Sequence, residues 1–163
     1  MPVVDLIDET FVVAAPAEVS AAVHDPERTK TWWPDLDLTV FMDRGVDGVR
    51  WTVTGGLVGT AEVWLEPFGD GTIVHVFLRC DPTRRGSATE IATVDPRRGL
   101  TLLRARAWEI KQWSWRLKDE LERGRLAGEP RPGVRDGQVV AEPQAPVAPA
   151  PEGAVDAPGQ PAS

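Results

Sequence analysis

The 163-residue chain is 42% hydrophobic and carries a formal charge of −7, which suits one domain with a real core and disfavours a sequence-independent grip on nucleic acid or an anionic membrane. Its single cysteine, Cys80, excludes an internal disulfide and a multi-thiolate metal site, and the two scattered histidines, His24 and His75, add no metal centre. No apolar run approaches the roughly eighteen residues that span a bilayer, and "MPVVDLIDET" lacks the regions of a secretory signal, so a cytoplasmic location is expected.

"VVDLIDETFVVAA", rich in Val, Ile, Phe and Thr, reads as a first strand. In "PAEVSAAVHD", Pro16 stands at a first helical position, Glu18 in the first turn, and Val19, Ala22 and Val23 share one face. Asp25 and Pro26 end that helix and start another turn of helix, Asp25 as its N-cap. His24 beside them is favourable at a helix C-terminus. Pro34 then prevents a regular element from running through Trp32 and Trp33.

Four segments with period-two alternation follow: "LDLTVFMD", "GVRWTVTG", "LVGTAEVWLEPF" and "GTIVHVFLRC". Their short glycine-bearing connections require antiparallel neighbours. The alternation places Trp51 with Val49 and Val53, Val63 with Ala61 and Leu65, and Val74 with Val76 and Leu78 on the face toward the core. The opposite set, Arg50, Thr52, Glu62, Trp64, His75, Phe77 and Arg79, reads as the solvent face. "DPTRRGSATEIATV" reads as a loop or one further poor strand.

Asp95 and Pro96 repeat the cap-and-proline start. Beyond them Leu103, Ala107, Ile110, Leu117 and Leu121, widened by Trp113, mark the stripe of a long amphipathic helix. Gly99 weakens its first turn by roughly 1 kcal/mol relative to Ala, which sets the expected regular start nearer Leu102. From residue 126 the text becomes rich in Pro, Ala and Gly and has no aromatic residue. Such a segment cannot offset its chain entropy by burial. The expected organisation is therefore one domain over 1–125 and a disordered tail over 126–163, in which "PQAPVAP" could serve as a ligand for a protein partner.

The order of strand, two short helices, antiparallel meander and long helix predicts an α+β fold: a curved sheet whose concave side the long helix covers. "FVVAAPAEVSAAVHDPERTKTWWPDL" resembles the opening of the START-like (SRPBCC) superfamily in its polyketide cyclase and lipid-transport branch. Val13, Ala15, Pro16, Ala17, Glu18, Val19, Asp25, Pro26, Trp33 and Pro34 carry the resemblance, with a weaker echo in "GTIVHVFL". It implies a helix-grip container for apolar or aromatic small molecules between the sheet and the C-terminal helix. In such a domain one tryptophan of the turn would plug the end of the core and the other would lie at the mouth.

No G-x-S-x-G, phosphate loop or H-E-x-x-H occurs, so hydrolase, nucleotide and zincin readings lack support. No cofactor is implied. The first functional reading is a carrier or sensor of a lipid-like or polyketide-like molecule. Trp33, Trp51, Val53, Val63, Leu65, Val74, Val76, Leu78, Ile110, Trp113 and Leu117 would line its interior. An alternative is a polyketide-cyclase-like enzyme in which Glu62 and His75 handle protons, which requires both to face inward. A third is an interaction module with a filled core, meeting a protein partner through the proline-rich tail or the arginines Arg84, Arg85, Arg97, Arg98, Arg104 and Arg106. Acidic neighbours make a solvated mixed face the simpler reading of those arginines.

Overall fold

The computed structural model describes residues 1–123 and a short antiparallel pair, Val134–Arg135 (β6) with Gln138–Val139 (β7), which is described by itself. The rest of the segment read as a tail, including "PQAPVAP", lies outside the described residues.

Within residues 1–123 the strands are Val4–Val12 (β1), Leu36–Asp43 (β2), Gly48–Gly55 (β3), Leu57–Phe68 (β4) and Gly71–Pro82 (β5). They form one antiparallel sheet in the order β1-β5-β4-β3-β2, so the meander is closed by the first strand pairing with the last. Two short helices, Pro16–Val23 (α1) and Pro26–Trp32 (α2), separate β1 from β2, and Pro96–Glu122 (α3) covers one face of the sheet. The fold is the expected α+β arrangement of a curved sheet around a long helix.

Local chemistry caps α2 and α3 at the expected Asp-Pro pairs. Asp25 accepts from the Glu27 amide and Asp95 from the amides of Arg97 and Arg98, each followed by proline at the first helical position. His24 closes α1, its Nδ1 bonded to the Ser20 carbonyl at 2.8 Å and its Nε2 to Asp43 at 3.0 Å. The helix α3 starts at Pro96 rather than near Leu102. Gly99 is buried there, and a Cβ on it would lie 3.3 Å from Val3 Cγ1, so the glycine lets the helix approach β1.

That approach opens a chain of contacts along one edge. Lys111 pairs with Asp8 at 2.6 Å, Lys118 donates to the Phe11 carbonyl, and the Val13 amide donates to Glu122. Helix and strand thus run side by side in the same direction. From Gly99 to Glu122 the helix advances about 35 Å at 1.5 Å per residue, and from Val3 to Val13 the strand advances about 33 Å at 3.3 Å per residue. The two lengths match, so one helix spans the whole sheet.

The inward-facing set read from the sequence is buried throughout β3, β4 and β5. Val49, Trp51, Val53, Ala61, Val63, Leu65, Val74, Val76 and Leu78 are buried with Ile110, Trp113 and Leu117 of α3 in one cluster. The segment after β5 is a loop with a single bridge, Thr83 to Ile91, whose Ala88 carbonyl accepts from the Gly55 amide.

Candidate functional site between sheet and helix

Three groups of side chains pack between the sheet and α3. Alternating β3, β4 and β5 residues make an apolar floor, and Ile110 and Leu117 make the roof. One end is closed by indoles. Trp32 stacks on Trp113 with ring centroids 4.0 Å apart and planes 9° apart, and Trp33 meets Trp113 edge-on at 5.6 Å. Such pairs contribute about 0.5–1.5 kcal/mol beyond their burial. Both tryptophans of the turn are buried, so neither occupies an open mouth.

The turn is fastened to α3 by charge as well as by rings. Arg106 donates through its two terminal nitrogens to Asp35, at 2.9 and 2.5 Å, and to Glu109 at 2.8 Å. Its side chain is only 7% exposed, against 49% for Asp35. Arg106 therefore leaves the group of arginines read as a solvated face, whereas Arg84, Arg85, Arg97, Arg98 and Arg104 are exposed as expected. The hydrogen bond from Arg106 holds the Asp35 carboxyl below its ordinary range, against the opposing effect of its own desolvation. Arg28 of α2 grips Glu120 in a second fork, at 2.7 Å to each oxygen.

The polar groups between sheet and helix were mostly hidden in the sequence. Asp8, opposite Val76 on β1, faces α3 and meets Lys111 there, with the Thr10 hydroxyl donating to its carboxylate at 3.3 Å. The signal was available as the alternation Val4, Leu6, Asp8, Thr10, Val12, but Ile7 and Phe11 on the opposite face blurred it. Four side-chain groups are buried without a hydrogen-bond partner among the described residues: Arg28 Nε in α2, the indole nitrogens of Trp33 and Trp113, and the Ser114 hydroxyl. A buried donor left unmatched costs about 1–3 kcal/mol.

Glu62 and His75 are on the outer face of the sheet, so the inward pair needed for cyclase-like proton transfer is not formed. Glu62 is tied to Arg50 and, at 2.9 Å, to Arg44. His75 is the surprise of that face: only 7% exposed, it lies under Trp64 at 4.4 Å, with Nδ1 on Glu9 at 3.0 Å and Nε2 on Glu66 at 2.9 Å. Cys80 is inert core, its thiol pushed up to about 12 by burial. No cluster of metal-ligating side chains occurs, and no helix is long and apolar enough to cross a membrane, among the described residues.

Neither a family model nor a curated protein sequence matches the chain. Solved structures do. The Aha1 dimer from Colwellia psychrerythraea is similar over 75% of this chain and 98% of its own, at 17% identity and a TM-score of 0.50. A Deinococcus radiodurans protein is similar over 74% of this chain and 98% of its own, at 13% identity and a TM-score of 0.52. The di-domain ARO/CYC protein StfQ of the steffimycin biosynthetic pathway is similar over 72% of this chain and 50% of its own, at 12% identity and a TM-score of 0.43. Together with the element order, the first two likenesses show the fold alone, the helix grip expected from the sequence.

Proposed function

We propose that the domain is a carrier or sensor that binds an apolar or aromatic small molecule bearing hydrogen-bond acceptors, held between the inner sheet face and α3. The supporting observation is the set of unmatched polar groups, Trp33 Nε1–H, Trp113 Nε1–H and the Ser114 hydroxyl, buried in otherwise apolar surroundings. A bound carbonyl or hydroxyl oxygen would recover the free energy those groups forgo. The apolar residues on the inner face of the sheet would supply the rest of the affinity at about 25 cal/mol per Å² removed from water. Because the indoles fill one end, binding requires Trp32 and Trp33 to part from Trp113, a movement restrained by the Asp35–Arg106 and Arg28–Glu120 pairs.

The test is a panel of fatty acids, flavonoids and small polyketides titrated against intrinsic emission. At least one compound should change it saturably at micromolar concentration. Trp113→Phe keeps an aromatic ring and deletes the N–H, so it should weaken carbonyl-bearing ligands by about threefold to tenfold. It should leave hydrocarbon ligands nearly unaffected. A panel without any saturable binder would overturn the proposal.

A further inference from the structure

The face of the sheet turned away from α3 carries a groove of about 520 Å³ whose lining includes Phe41, Arg44, Arg50, Trp64, Phe77 and Arg79 around Glu62. We infer that this groove is a second binding site, separate from the one proposed between sheet and α3, for a small planar aromatic anion such as an arene carboxylate.

Charge is the first argument. The chain as a whole is at −7, yet three guanidinium groups line this groove, two of them on Glu62 and the third on Asp5. Glu62, whose side chain is 12% exposed, bonds both Arg44 and Arg50 and holds their planes in place. Each guanidinium has five N–H donors, so one shared carboxylate leaves donors over. Arg79 engages Asp5 through Nε at 3.1 Å, and its terminal amino groups add four further donors. Fixed guanidinium forks match a planar carboxylate.

The aromatic walls are the second argument, and one of them is placed by a deliberate irregularity. The β2–β3 register passes from Val40↔Trp51 to Met42↔Arg50, which leaves Phe41 as the extra residue of a bulge. Bulges re-aim side chains, and here the Phe41 ring lies 5.8 Å from the Arg50 guanidinium. Trp64, stacked on the buried His75, is fixed on the far side, and Phe77 sits opposite Glu62 in the β4–β5 register. Flat rings beside oriented cations select a flat anion.

Size and surroundings restrict the ligand to a compact one. The volume is that of an ordinary small-molecule site. Asp5, Glu9 and Glu66 stand on the same face at the Arg79 and His75 positions, so an extended polyanion would meet carboxylates beyond the arginines.

The experiment uses the full chain, 2-naphthoate as probe and 2-naphthylmethanol as its neutral counterpart, followed by nitrogen–proton spectra of indole and guanidinium groups. Naphthoate should saturably shift the Trp64, Arg50 and Arg79 signals, weaken at higher salt, and bind at least about tenfold less tightly to Arg79→Gln and to Phe41→Ala. Arg79 and Phe41 are exposed, and unchanged Trp33 and Trp113 indole signals will verify that the variants are folded. Equal binding of the alcohol would overturn the inference, as would shifts confined to Trp33 and Trp113, which would assign the probe to the site between sheet and α3. Tighter binding of hexathymidylate at the same residues would overturn it in favour of a nucleic-acid surface.

Discussion

Arg106 of α3 holds Asp35, the residue that follows the Trp-Trp-Pro turn, through both terminal nitrogens at 2.9 and 2.5 Å. The pair fastens to α3 the turn whose Trp32 and Trp33 pack on Trp113. Asp35→Ala leaves a buried guanidinium with Glu109 as its remaining carboxylate. The expected loss is about 2–3 kcal/mol, at or below the lower end for a broken buried pair because Asp35 is half exposed. Chemical denaturation of the variant against wild type measures it.

The same pair has a pH signature. The folded-state pKa of Asp35 is lowered, first by the hydrogen bond from Arg106. Its contribution is therefore complete above the unfolded value of about 3.9 and is lost as pH falls through the lower folded value. Asp35→Asn should differ most from wild type at neutral pH, and the gap should narrow below about pH 4. Urea midpoints for both proteins between pH 3 and 7 test the sign: a gap that widens on acidification would contradict it.

A helix that spans the sheet must present one stripe to it. Leu117→Asp puts a charge into the buried cluster and should unfold the domain or cost several kcal/mol, on the order of the burial penalty for an unpaired charge. Arg116→Asp, on an exposed neighbour, should change stability by about 0.5 kcal/mol or less. Thermal melts of the two variants make the comparison, and similar melts would mean that the helical phase is misassigned.

These elements divide sharply in how far they could be read from the sequence. The inner faces of β3, β4 and β5 were legible because strict alternation of large apolar residues leaves one register that buries them. The capped starts of α2 and α3 were legible because Asp-Pro is a local signal. Asp8 was not, since β1 carries apolar residues on both faces. Arg106 was hidden among other arginines, and only the contact with a turn some 70 residues away distinguishes it. Phe41 lies on a bulge, which breaks the period on which such reading depends.

Cys80 supplies a probe of core integrity. Burial pushes its thiol up to about 12, so at pH 8 almost none is thiolate, the reactive form. A thiol reagent should modify the folded chain only at the rate of unfolding, and modification should become rapid in denaturant. Fast stoichiometric labelling under native conditions would show that the β4–β5 core opens readily.

The unmatched donors between sheet and helix are proposed as ligand handles. The most direct measurement is the indole N–H resonance of Trp33 and Trp113, assigned through Trp→Phe variants and followed while a carbonyl-bearing compound from the panel is titrated in. Both resonances should move downfield and become protected from exchange at saturation, while those of exposed Trp108 and Trp115 stay in place. Saturable binding that leaves Trp33 and Trp113 unmoved would contradict it.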